Sequence, residues 1–231
     1  MANRLLLILL TIFISASSFA TPVEQDLIKS ASDAFQKAFP KDNGQEDYNE
    51  GENSLGDINN DGVTDFVTLL YTPNKDPNKA PNDIGDTQIA VFLGNKEGSF
   101  SLYKLSGSTF RHERIDQRVE IRKGSIFLYR RGGIPCCGED VFQFKLRTKN
   151  IVLIGSEYSE FVDLDQNNGF GKSINFITGD VMYWGQTMKK RKEVKAKFKP
   201  PALIKIEDFS YPVGEPKGAE GYIDEKFNFV K

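Results

Sequence analysis

Cysteine, histidine and long apolar runs are all scarce in this chain, and each shortage removes a class of function. No cysteine precedes Cys136, so a lipid anchor placed at an early cleavage point has no attachment residue. Only the run Leu5–Ile14 is strongly apolar, and it is too short to span a bilayer. No later run approaches that length, so membrane insertion is not expected. His112 is the single histidine, in the polar stretch Arg111-His112-Glu113-Arg114. Histidine-rich zinc sites are thereby excluded, and a Ser-His-Asp arrangement lacks a histidine poised beside a nucleophile.

What stands at the start is a targeting pattern. Arg4 supplies the positive charge, the apolar run follows, and Ser18-Phe19-Ala20 offers the small residues that a signal peptidase reads. Residues 1–20 are therefore expected to be a signal peptide, and residues 21–231 one β-rich domain, periplasmic or secreted. Without Arg4 the 30 basic residues become 29 against 32 acidic, a net charge of −3. A chain so nearly balanced has no global attraction to nucleic acid. Phenylalanine is plentiful at 18 residues, enough for a packed core.

Local patterns predict the elements. Thr21-Pro22-Val23-Glu24 has the cap, the first-turn proline and the acidic residue of a helix start. Leu27, Ala31, Ala34, Phe35 and Ala38 recur at helical spacing until Pro40, which predicts one amphipathic helix lying on a sheet. Lys41–Asn53 reads as a polar loop. The period then changes to that of strands: 65–71, 88–94, 99–106, 119–122, 125–130, 141–147, 151–158, 180–186 and 193–206. Asn95-Lys96-Glu97-Gly98, Lys123-Gly124 and Thr148-Lys149-Asn150 are turns between them, and the Pro-Asn pairs from Pro73 to Asn82 mark a long loop. The tail from Tyr211 is read as a surface wrap. The predicted class is α+β, mostly β: an antiparallel meander forming a curled sheet or a sandwich, with one N-terminal helix.

The strongest motif is Gly56-Asp57-Ile58-Asn59-Asn60-Asp61-Gly62-Val63-Thr64-Asp65. Asp57, Asn59, Asp61 and Asp65 place side-chain oxygens at loop positions 1, 3, 5 and 9, and Val63 at position 7 offers its carbonyl. Calcium takes six to eight hard oxygens at about 2.3–2.6 Å, and alternate residues of a tight loop aim such oxygens at one centre. Gly62 stands where the chain must turn with positive φ. An EF-hand needs a bidentate Glu at position 12, where this chain has Thr68 inside an apolar strand. A calcium loop running straight into a strand instead resembles the FG-GAP/VCBS type. Ile89–Gly94 followed by Gly98-Ser99-Phe100 is similar to the strand–turn–strand after such loops. Over roughly Asp57 to Tyr158 the chain also resembles uncharacterised exported bacterial proteins carrying a single FG-GAP/VCBS-type calcium loop. Such loops usually recur once per propeller blade; this chain has one good copy, so blade functions are not implied. The stretch Asp163–Gly169 is a fainter echo, better read as a polar turn.

Two further features stand out. Cys136 and Cys137 are adjacent, in a Gly- and Pro-rich bend. An oxidising compartment makes a disulfide the default, yet neighbouring Cα atoms lie about 3.8 Å apart, below the usual window of about 4.4–6.8 Å. A bond between them closes a strained ring. A rigid turn and a redox or intermolecular thiol role both stay open. Lys189, Lys190, Arg191, Lys192, Lys195, Lys197 and Lys199 form the dense basic cluster, alternating at its end with Val194, Ala196 and Phe198. A lysine-guarded sheet edge is the plainer reading, and a docking face for an acidic protein or an anionic envelope component the sharper one. Tyr183 and Trp184 on the preceding strand belong either to that face or to the core.

Together these features predict a non-enzymatic, calcium-stabilised binding module whose partner is a protein, a neutralised toxin included, or an envelope component. A hydrolase with a carboxylate pair is the competing class. It requires a concave pocket holding two acidic side chains away from the calcium loop.

Overall fold

The structure, a computed structural model, describes residues 22–40, 53–73, 83–109, 111–112, 115–132, 138–161, 167–200 and 202–210. The predicted signal peptide, Thr21 with the side chains of Pro22 and Glu24, most of the 41–53 and 73–82 loops, Cys136 and Cys137, Asp163–Gln166 and the tail from Tyr211 lie outside them.

Three layers follow from the burial pattern of the strands. The helix α1 (Pro22–Ala38) covers one face of a sheet in the order β1 (Asn53–Gly56), β2 (Asp65–Pro73), β3 (Asp83–Gly94), β4 (Phe100–Leu105), with β5 (Arg111–His112) also paired to β3. The second sheet has seven strands: β6 (Ile115–Arg122), β7 (Ser125–Gly132), β8 (Gly138–Arg147), β9 (Asn150–Phe161), β10 (Gly169–Asn175), β11 (Asp180–Thr187) and β12 (Lys190–Lys197). Each pairs antiparallel with the next, so the meander runs in sequence order. Neither sheet closes into a barrel.

β2 shows why the first sheet is the middle layer. Its residues 65–71 are all buried, because Val67, Leu69 and Tyr71 face the second sheet while Phe66 and Leu70 face the helix. A strand covered on both sides reads as a continuous apolar run rather than an alternation. Phe66 and Phe92 meet at 5.1 Å beneath Ala31 and Phe35 of α1, and Phe35 alone contributes about 1.5–3 kcal/mol by its burial. Between the sheets, Val67, Leu69, Ile89 and Val91 pack against a cluster that includes Ile126, Leu128, Phe144 and Leu153. The arrangement is a sandwich with a helix on its outer side.

Several boundaries depart from the sequence reading. β3, β6 and β8 begin at Asp83, Ile115 and Gly138 rather than at 88, 119 and 141, β5 is an added strand, and three further changes have a local cause. β1 begins at Asn53, where a loop was expected to end, and it is held by Ile121 N–H donating to Ser54 Oγ at 2.9 Å. β10 occupies Gly169–Asn175, a stretch with glycines at alternate positions that carries no strand signal. The expected strand 193–206 stops at Lys197, before Pro200, where a missing amide donor breaks any ladder. The chain then returns to the core: Leu153 N–H donates to Ile204 O at 2.8 Å, and Ile206 and Phe209 are fully buried. Lys104 pairs with Glu207 beside this segment. Burial pushes the Glu207 carboxyl up, but the Lys104 ammonium, its own backbone amide and Lys205 outweigh that and hold it below its usual range.

Candidate functional site

The 57–65 loop is a chain of side-chain-to-backbone turns. Asn60 N–H donates to Asp57 Oδ1 at 2.6 Å and Gly62 N–H to Asp57 Oδ2 at 2.9 Å. Asp61 N–H donates to Asn59 Oδ1 at 3.0 Å, and Val63 N–H to Asp61 Oδ1 at 2.8 Å. Asn60 at φ 60° and Gly62 at φ 81° both adopt the left-handed region, as the bend expected at Gly62 requires. The loop sits at the junction of the two sheets. Gly94 N–H on β3 donates to Asp65 Oδ1 at 3.0 Å, and a Cβ on Gly124, in the β6–β7 turn, would stand 3.0 Å from Asn60 Oδ1.

Asp65 is the anchor. It has no exposed surface, and its second oxygen accepts Ile58 N–H at 2.8 Å. Desolvation pushes its carboxyl up; the two amides oppose this, and the charges of Asp61 and Asp57 add to the rise. The loop thus gathers three carboxylates, Asp57 and Asp61 standing close enough to raise Asp65. Each carboxylate oxygen has a second lone pair beyond the one an amide uses, so the donor set suits a hard cation chemically. The oxygens nevertheless aim at amides: among the described residues no three His, Cys, Asp or Glu side chains are grouped to hold a metal ion. Val63, the expected carbonyl donor, is half-buried beside them.

The basic cluster divides by register. All seven cations, Lys189 to Lys192, Lys195, Lys197 and Lys199, are exposed. Lys195 and Lys197 lie opposite Met182 and Asp180, and Arg191 opposite Gln186, on the face turned away from the first sheet. Lys190 and Lys192 alternate onto the other face with the half-buried Val194 and Ala196. Arg191 binds Glu193 at 3.0 Å and Lys197 binds Asp180 at 3.4 Å. Tyr183 and Trp184 also part company: Tyr183 is 1% exposed in the core, while Trp184 lies on the outer face with the Arg191 guanidinium 4.8 Å from its ring centre.

That outer face holds a pair of acidic residues that local sequence patterns do not reveal. A depression of about 370 Å³ is lined by residues including Glu139, Glu157, Gln143 and Asn175, and no residue of the 57–65 loop lines it. Val141 opposes Glu157 and Glu139 opposes Ser159, so the two carboxylates are diagonal neighbours on β8 and β9. Such positions stand about 7–8 Å apart. Eighteen residues separate them in sequence, and only the strand register joins them. The floor beside them depends on Gly171, whose Cβ would lie 2.3 Å from the Tyr158 carbonyl and 2.6 Å from the Trp184 ring. Gly171→Ala is therefore expected to shift Trp184 emission and cost about 1–3 kcal/mol by urea unfolding. An unchanged spectrum and midpoint would contradict this packing.

No family model, no curated protein and no solved structure matches this chain.

Proposed function

We propose that the chain is an exported, calcium-stabilised binding module, its loop of the FG-GAP/VCBS type and its place the periplasm or the cell exterior. The observation that carries the reading is the buried Asp65 carboxylate with Asp57 and Asp61 beside it, at the seam of two sheets. Asp57, Asp61 and Asp65 would supply carboxylate oxygens, Asn59 its amide oxygen and Val63 its carbonyl. The ion would offset their mutual repulsion and hold the loop between β3 and the β6–β7 turn. The exposed cations of β12 and its turn suit an acidic protein or an anionic envelope component as partner.

Calcium is expected to raise the melting temperature of the mature chain. Extracellular sites bind at about 10⁻⁴–10⁻³ M, so 10 mM calcium adds about 1.4–2.7 kcal/mol. For a chain of this size that is an upward shift of about 3–11 °C. Asp61→Ala should abolish the shift. Identical melting curves of the unaltered chain in calcium and in chelator would end the reading.

Glu139 and Glu157 support a second reading, hydrolysis by a carboxylate pair, since they are diagonal neighbours that line one depression. Release of reducing ends from a polysaccharide, lost in Glu139→Gln and in Glu157→Gln, is its test.

A further inference from the structure

The outer face of the seven-stranded sheet is a trough. Depressions of about 370, 310 and 260 Å³ lie side by side across β7 to β12 and meet at Ser173, which lines all three. Gly155, Gly171 and Ser173 keep the middle strands low, because their side chains are absent or small. Large side chains stand on both flanks. On the β7 side Phe127 and Tyr129 stack at 26° and 6.3 Å, with Arg122 over Phe127 at 4.3 Å and Arg118 over Tyr129 at 4.2 Å. On the β11 side Trp184 lies against Gly171 under Arg191. Each wall is therefore a flat ring with a planar guanidinium fixed upon it, which leaves the guanidinium donors pre-oriented.

Charge decides what such a trough accepts. Arg122, Arg191 and Lys195 line it, against Glu139, Glu157 and Asp180. Among the described residues no side-chain hydrogen bond or ion pair engages the Glu139 or Glu157 carboxylate. Both carboxylates thus offer open acceptors in the groove, which a polyanion cannot use and would be repelled by. A polycation would satisfy them but meet the guanidinium walls. A hydroxyl both donates and accepts, so a neutral polyol uses both kinds of group at once. Its apolar C–H faces suit the ring edges that the guanidinium groups leave uncovered.

We propose that this trough, with two open carboxylates between guanidinium-capped aromatic walls, binds a neutral, hydroxyl-rich oligosaccharide chain laid across the strands. The proposal rests on the binding-module reading, gives the groove a neutral ligand distinct from the anionic partner of the basic strand, and does not depend on calcium.

Trp184 is the single tryptophan, so its emission reports on the groove directly. The full mature chain is titrated with linear neutral hexasaccharides of glucose, xylose and N-acetylglucosamine. Oligogalacturonate, hexaglutamate and hexalysine serve as charged probes, and every titration is run in calcium and in chelator. A saturable emission change with a neutral hexasaccharide, little altered by salt, is the expected result. Glu157→Gln exchanges an exposed carboxylate on a strand and should weaken that binding about tenfold to a hundredfold, with an unchanged melting temperature. A response confined to an acidic or a basic probe, no saturable response to any probe, or full-strength binding by Glu157→Gln would overturn the proposal. Melting temperature reads the calcium site and emission reads the groove, so either idea can fail while the other stands.

Discussion

Asp65→Ala is expected to lower stability by about 3–5 kcal/mol, in chelator as well as in calcium. The Asp65 side chain has no exposed surface and accepts two backbone amides, from Ile58 and from Gly94. Hydrogen bonds to a charged acceptor contribute about 1.5–3 kcal/mol each, and buried amides left without partners cost a similar amount. The alanine removes both bonds and leaves a small cavity. Relief of repulsion from Asp57 and Asp61 offsets a part of this, since those charges raise the Asp65 carboxyl. Asp65→Asn is a finer probe: its amide oxygen keeps one acceptor, but its NH₂ group then faces a second N–H. It should lose roughly half as much. Asp61, by contrast, is exposed and its bonds lie within the loop, to Val63 N–H and the Asn59 side chain. In chelator Asp61→Ala should cost less than about 1 kcal/mol, while removing the response to calcium. Urea unfolding of the three variants, with and without calcium, separates the carboxylate that builds the seam from the one proposed to serve an ion. An Asp65→Ala chain as stable as the unaltered chain in chelator would show that the seam does not rest on this residue.

The contrast shows where the sequence is readable. The loop is local, so its oxygen pattern and its glycine can be read within nine residues, Asp57 to Asp65. The hairpins are readable for the same reason: β6–β7 and β8–β9 join alternating strands through turns at Lys123-Gly124 and Thr148-Lys149. Legibility fails where pairing partners, rather than local residues, make the strand. β1 has four half-buried residues and owes its place to β2 and to Ile121. β10 carries Gly169, Gly171 and Ser173 on its outer face, small residues chosen by the neighbours they lie beneath rather than by strand propensity. The pair Glu139 and Glu157 depends on the register between β8 and β9, which shifts at Gln143/Phe144. A register is a property of two strands at once, and a one-residue slip would turn one carboxylate to the other face. Trp184 and Tyr183 are adjacent and aromatic, and only the direction of the pleat tells which one belongs to the groove.

Phe209→Ala is the substitution expected to cost most within the apolar core, about 3–5 kcal/mol. The residue follows the last strand and lies beyond the point where the chain stops pairing in sequence order, yet it is 1% exposed. Its ring meets Phe142 at 5.1 Å and 66° and Phe144 at 4.9 Å and 89°, edge-to-face contacts that add to plain area burial. The backbone around it is fixed as well. Gly107 N–H donates to Ile206 O at 3.3 Å, and a Cβ on Gly107 would stand 2.4 Å from Phe209 O. With both chains held so closely, the surroundings have little room to collapse into the space an alanine leaves, which places the cost near the upper end of the range. The segment 202–210 therefore acts as a plug that joins β4 of the first sheet to β8 and β9 of the second. Met188→Ala is the control, because Met188 is 75% exposed in the β11–β12 turn and should change stability by less than about 0.5 kcal/mol. Urea unfolding measures both. A Phe209→Ala midpoint no lower than that of Met188→Ala would mean that the sandwich closes without the Phe209 ring.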